Sequence, residues 1–128
     1  MSNTSGSMKL SQLLASPFGR RMGETVCTEL FGLAELLHFP AGETVFEEGD
    51  QPEGIYLVLK GQLKLIRSGP AYREHIVHLA EVHSMFGEAS LFLEVHPVTA
   101  CALEDSELMF FPREGFLECM GHHPLLQN

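Results

Sequence analysis

The apolar residues near the start of the chain follow the spacing of an amphipathic helix. Between residues 24 and 37, apolar side chains recur at intervals of three or four positions: Val26, Leu30, Leu33 and Leu37. This spacing places them on one face of an α-helix. A shorter pattern over residues 10–14 predicts a helical turn before Pro17. We therefore expect helices at the start of the domain, with an apolar face toward the core.

From residue 43 onward, apolar and polar residues alternate and turn residues recur. Because side chains on a strand alternate between two faces, this pattern predicts short β-strands. The predicted strands are residues 44–46, 55–59, 62–67, 74–82, 99–103 and 107–111, the last two forming a hairpin around residues 104–105. A closing helix is expected over residues 113–120. Many short strands indicate a mainly β fold with flanking helices, either a sandwich, a jelly roll or a barrel.

Composition narrows the class of protein. The chain has 128 residues, which suits a single domain, and a net charge of −9 without a basic cluster. We therefore expect this chain to bind neither nucleic acid nor anionic membranes. Three widely spaced cysteines argue against a disulfide framework and favour the cytoplasm. Residues 1–15 are interpreted as a flexible leader and residues 16–128 as the domain.

The histidines do not form a convincing metal motif. His75, His78 and His83 lie within nine positions, but residues three or five apart point to opposite faces of a straight strand unless a bulge intervenes. The sequence also lacks a Gly-x-Ser-x-Gly elbow and a phosphate-binding P-loop. We therefore expect neither a metal site nor an enzyme.

Two glycine-bearing signatures occur in order along the chain. The first contains Gly42-Glu43, Gly49-Asp50, Gly54 and Gly61, and the second contains Phe86-Gly87-Glu88 followed by Thr99-Ala100. Together they resemble the cyclic nucleotide-binding domain of bacterial Crp/Fnr-type transcription regulators. The resemblance implies a double-stranded β-roll, a jelly roll flanked by helices.

The second signature resembles the phosphate-binding cassette of that family, and the resemblance implies roles for its residues. Glu88 would accept a hydrogen bond from a ribose hydroxyl and Thr99 would donate one to a phosphate. The implied ligand-binding residues are Gly87, Glu88, Ala89, Ser90, Val98, Thr99 and Ala100. Val98 occupies the position of the family's arginine, which neutralises the phosphate. Burying an anion without its charge partner costs roughly 2–5 kcal/mol, so we expect weak cAMP binding or none.

The resemblance implies the sensory domain of a transcription regulator that binds a small-molecule effector. In such a protein, a further C-terminal part would form a homodimer and bind DNA, without membrane contact. Two alternatives are a ligand-free dimerisation or interaction module and a haem-based gas sensor; a cupin-like metalloenzyme is the weakest. Both a cyclic nucleotide and haem remain open as cofactors. The candidate axial ligands are His38, His96, His122 and His123, and the sequence leaves open whether His83 or His96 enters the pocket.

Overall fold

The chain folds into two four-stranded antiparallel sheets with helices at both ends. The computed structural model describes residues 8–122. The helices are α1 (Leu10–Ala15), α2 (Pro17–Met22), α3 (Glu24–Phe31) and α4 (Arg113–Gly121). The strands are β1 (Glu35–Phe39), β2 (Thr44–Phe46), β3 (Gly54–Lys60), β4 (Leu63–Ser68), β5 (Glu74–Ala80), β6 (Met85–Phe86), β7 (Thr99–Ala102) and β8 (Ser106–Pro112).

The strand order confirms the predicted β-roll. One sheet has the order β1-β8-β3-β6 and the other has the order β2-β7-β4-β5. Apolar side chains of both sheets form one core cluster, which includes Val58, Leu63, Ala100 and Leu108. Burial of these alternating positions from two sheets is what holds a sandwich-like fold together.

The helix predicted over residues 24–37 is shorter than the apolar spacing suggests. It ends at Phe31 and is followed by strand β1. In β1, Leu36 pairs with Met109 and Leu37 with Leu108 of β8. Strand pairing satisfies the backbone of this segment in the sheet, so tertiary context overrides the helical pattern.

The predicted hairpin of residues 99–103 and 107–111 does not form. Strand β7 pairs with β2 and β4, whereas β8 pairs with β1 and β3 in the other sheet. The short turn between them carries the chain from one sheet to the other, where Leu103 N donates to Gln62 O at 2.8 Å. Spacing predicts two strands and a turn, but partners for the strands depend on the whole sandwich.

Helix α1 packs against the core, although it lies within the predicted leader of residues 1–15, of which residues 1–7 lie outside the described residues. Leu13 of α1 is fully buried, in the same cluster as Leu30 of α3, Ile55 of β3 and Phe116 of α4. At the next turn Ser16 accepts a hydrogen bond from Gly19 N at 3.0 Å and so caps α2. The domain therefore includes α1.

The closing helix predicted over residues 113–120 is confirmed as α4. Phe116 and Cys119 are its buried residues, and they pack against α3 and the first sheet. Among the described residues, no helix is long and apolar enough to cross a membrane.

Candidate functional site

The cassette predicted from the second signature folds into a turn and a short 3-10 helix. Gly87 has a φ of +92° and joins β6 to a 3-10 helix over Glu88–Phe92, which we call the cassette helix. A Cβ at this position would lie 3.1 Å from Gly54 O. Both the left-handed backbone and the close approach require glycine.

The cassette borders a cavity of about 400 Å³ within the roll, which we call the cassette cavity. Five of the seven predicted ligand-binding residues line it: Gly87, Glu88, Ala89, Ser90 and Val98. Its remaining walls come from the strands and the loop before β7 and are mostly apolar: Phe46, Leu65, Arg67, Val77, His78, Met85, Phe86 and Pro97. The structure therefore brings the two halves of the signature together around one space.

Thr99 and Ala100 lie away from this cavity. The Thr99 Oγ1 accepts a hydrogen bond from Glu48 N at 2.8 Å, and Thr99 lines a different cavity with Glu48 and Ser68. Ala100 is fully buried in the core between the sheets. Thr99 therefore lines a different cavity from Val98, and the contact with a phosphate that the resemblance implies for Thr99 stays a prediction.

His96 is a buried support for the cassette. Its side chain is 1% exposed, its Nδ1 lies 2.8 Å from Ser90 Oγ, and its ring stacks on Phe46 at 3.6 Å. Burial lowers the pKa of His96, and the carboxylates of Asp50 and Glu53 offset this only in part. A neutral His96 cannot replace the charge of the missing arginine.

The other histidines lie elsewhere. His83, which has a φ of +79°, lines a neighbouring cavity with His78 and Glu88 rather than the cassette cavity. His38 is exposed on β1, and His122 Nδ1 lies 3.0 Å from Glu29 Oε2. His123, the fourth candidate haem ligand, lies outside the described residues.

A β-bulge in β5 brings His78 to the cassette cavity. Opposite β4, Ile66 pairs with Ile76 but Leu65 pairs with His78, so Val77 is the extra residue. Both Val77 and His78 line the cavity as a result. The sequence pattern gives no sign of the extra residue, and its assignment of strand faces around residues 75–78 therefore fails.

Arg67 is another lining residue that the sequence analysis did not assign to the site. Leu65 and Arg67 both line the cavity, as the predicted alternation of β4 requires. Strand β4 pairs with β7 through Leu65↔Ala100 and Ile66↔Thr99. Continuing this antiparallel register by one residue places Arg67 opposite Val98. The register of β4 against β7 would have identified Arg67 as a residue near the cassette. The sequence, however, does not show that these two strands pair.

Metal binding and cysteine chemistry have little support among the described residues. The bulge removes the strand-parity argument against His75 and His78 acting together, yet no group of three or more His, Cys, Asp or Glu side chains within residues 8–122 could hold a metal ion. Burial raises the pKa of the Cys27 thiol and raises that of Cys119 to about 11. Such thiols stay protonated and are poor nucleophiles.

Comparison with known proteins supports the same family. The chain is 34% identical over 91 residues to the cyclic AMP receptor protein of Thermus thermophilus, which covers 70% of this chain and 42% of that protein. It is 32% identical over 91 residues to the lysophospholipase nte1 of Neosartorya fischeri, covering 70% of this chain and 6% of that enzyme. The chain thus spans less than half the length of these relatives.

Solved structures share the fold. A putative cyclic nucleotide binding protein from Ruegeria pomeroyi has a TM-score of 0.83 and 28% identity, covering 91% of this chain and 52% of that one. The regulatory subunit of a cAMP-independent protein kinase A from Trypanosoma brucei has a TM-score of 0.81 and 18% identity, covering 88% and 42%. A triple mutant of that subunit, in which one substitution introduces an arginine, has been solved with cAMP in its A site.

The family model for the cyclic nucleotide-binding domain matches residues 36–123. This range contains both glycine-bearing signatures, all strands from β2 to β8 and the cassette cavity. The chain therefore belongs to the cyclic nucleotide-binding domain family.

Proposed function

We propose that this chain is the effector-binding domain of a Crp/Fnr-like transcription regulator and that the cassette cavity holds a small-molecule effector. The observation that carries this proposal is the convergence of Gly87, Glu88, Ala89, Ser90 and Val98 on one cavity. A cavity of about 400 Å³ can hold a small organic molecule, whereas in a roll without a ligand site the protein's own side chains would fill this space. The cavity therefore favours ligand binding over a ligand-free interaction module.

The effector differs from cAMP in this proposal. Val98 offers no charge to a phosphate, and the nearest histidine along the chain, His96, is neutral and engaged by Ser90. A penalty of roughly 2–5 kcal/mol weakens binding on the order of 10²- to 10³-fold or more, because each factor of ten corresponds to about 1.4 kcal/mol.

Arg113 provides a route from the cassette to the rest of the protein. Its Nη2 donates a hydrogen bond to Leu91 O at 2.7 Å, which ties the cassette helix to the first turn of α4. An effector that shifts the cassette helix would therefore also bias the position of α4. In a longer protein, such a population shift would change the affinity of a separate DNA-binding part.

The same proposal includes a homodimer in the cytoplasm. Edge strand β5 and the turn after it expose large apolar side chains, namely Ile76, Val77, Leu79 and Val82. An exposed apolar edge is a feature that subunit association would cover. Cys27, Cys101 and Cys119 are free thiols, which fits a reducing compartment.

Restoring the arginine tests the role of the cassette cavity. We expect Val98→Arg to tighten cAMP binding on the order of 10²-fold or more, because the new guanidinium supplies the missing charge partner. Isothermal titration calorimetry of the wild type and the variant measures the change directly. Val95→Arg is the matched control, since it adds the same charge at a half-exposed position outside the cassette cavity.

Two results would contradict the proposal. Micromolar binding of cAMP by the wild type would show that Val98 does not weaken the site. A folded Val98→Arg variant that binds cAMP no better than Val95→Arg would show that the cassette cavity is not a nucleotide-type site. A hemin titration tests the alternative of a haem-based sensor, because haem binding would shift the Soret band.

A further inference from the structure

We infer that the effector is an organic anion with an apolar body and that Arg67 and His78 hold its negative charge. This inference rests on the proposed function of the cassette cavity and assigns the charge to strands β4 and β5 instead of the cassette. The ligand class is a carboxylate attached to an aromatic or aliphatic group.

The position of Arg67 supports this assignment. In the β4–β7 register, Arg67 lies one residue beyond the Ile66↔Thr99 pair, opposite Val98. Arg67 and Val98 both line the cassette cavity. The cavity therefore contains a cation on β4, although residue 98 carries no charge.

Arg67 is also free to bind a ligand. Among the described residues it has no ion pair and no side-chain hydrogen bond, whereas Lys64 on the same strand lies 3.1 Å from Glu74 Oε1. Arg67 is the only permanently cationic residue among those lining the cassette cavity. The chain has a net charge of −9. An arginine without an ion pair at a cavity can therefore bind an anion there.

His78 adds a donor beside Arg67. Because of the bulge, Val77 and His78 both line the cavity. His78 pairs with Leu65, which lies two positions from Arg67 on β4. A neutral imidazole carries one N–H donor and a protonated one carries two. Arg67 and His78 can therefore donate to the same carboxylate.

The remaining walls define the body of the ligand. Phe46, Leu65 and Val98 offer apolar contact, while the exposed carboxylate of Glu88 accepts hydrogen bonds from hydroxyl or amino groups. Glu88 repels a second anionic group at the cassette itself. The geometry favours a molecule with one anionic end, an apolar body and donors near Glu88.

The test compares a charged probe with its uncharged analogue on the full 128-residue chain. The probes are 1-naphthoate and 1-naphthamide, which share an aromatic body, and binding is followed by amide chemical shifts in NMR spectra. We expect naphthoate to bind about tenfold more tightly, as a charge-assisted hydrogen bond allows. Arg67→Gln should remove this preference for naphthoate over naphthamide.

Lys64→Gln is the matched control. It removes the same charge from the same strand, but Lys64 is not among the residues that line the cavity. Equal affinity for the two probes, or an Arg67→Gln variant that keeps the preference, would overturn the inference while the cavity remained a binding site. If neither probe shifts the amides of Ala89 and Val98, both the inference and the proposed cavity function fail.

Discussion

At the scale of single residues, His96 links the loop before β7 to the cassette helix. Its Nδ1 lies 2.8 Å from Ser90 Oγ, and its backbone N–H donates to Asp50 O at 2.8 Å. The imidazole is buried and stacked on Phe46, so both the cavity wall and the cassette depend on the neutral form of one side chain. A buried imidazole that must stay neutral makes the stability of the fold depend on pH.

We predict that the wild-type chain loses stability as the pH falls below about 6.5, the ordinary pKa of histidine. Burial lowers the pKa of His96 in the folded state, so the unfolded chain takes up the proton first. The contribution of His96 is complete above the unfolded pKa and is lost as the pH falls toward the folded pKa. Urea unfolding at a series of pH values measures this loss.

His96→Phe is the variant that isolates the effect, because phenylalanine retains an aromatic ring next to Phe46 and cannot titrate. It leaves Ser90 Oγ without its partner, so its stability is lower at high pH by about 1–3 kcal/mol. Its stability should then depend less on pH below 6.5 than that of the wild type. Equal pH dependence in the two proteins would contradict the role of His96.

At the scale of elements, the sequence predicted the helical turn of α1 but not that this helix packs on the core. Residues 1–15 begin with a polar stretch typical of a leader, yet α1 contributes Leu13 to the core at 0% exposure. A helix of six residues with one buried leucine does not show from its sequence alone that it packs on the core. Packing against α3, β3 and α4 decides that this helix belongs to the fold.

We predict that Leu13→Ala lowers the free energy of unfolding by about 2–5 kcal/mol, as removal of a fully buried leucine leaves a cavity. Chemical denaturation followed by circular dichroism measures the change. Ser11→Ala, at an exposed position of the same helix, is the control and should stay within about 0.5 kcal/mol of the wild type. If both substitutions had the same small effect, α1 would not be part of the cooperative domain.

The positions of the strands along the chain were predicted better than their pairing in the sheets. The segments 44–46, 55–59 and 62–67 correspond closely to β2, β3 and β4, because alternation is a local property of buried sheets. The hairpin of residues 99–103 and 107–111 was wrong, and the bulge at Val77 was invisible. Pairing and bulges follow from how two twisted sheets close on each other, and no short window of sequence contains that information.

At the scale of the whole molecule, charge sets what the chain can associate with. The 8 basic residues face 17 acidic ones, giving a net charge of −9. One basic residue, Lys64, is already paired with Glu74. Affinity for nucleic acid comes mainly from clustered cations that displace counterions from phosphates, and this composition does not supply them.

We predict that the 128-residue chain does not bind duplex DNA even at a salt concentration of about 50 mM, where electrostatic binding is strong. Fluorescence anisotropy of a labelled duplex measures this, with a protein of positive net charge as the positive control. Saturable binding that weakens with added salt would show a basic surface that the net charge conceals.

The sequence by itself determined the fold class, the closing helix and the family, because glycine turns, alternating strands and the cassette motif are local features. It also identified five cavity-lining residues through the resemblance. Only the tertiary structure decided that Thr99 accepts a hydrogen bond from the backbone of Glu48, that His96 contacts Ser90, and that Arg67 and Val98 line one cavity. These relations join residues distant in the chain, and they depend on strand register and on a bulge that only the packed sheets define.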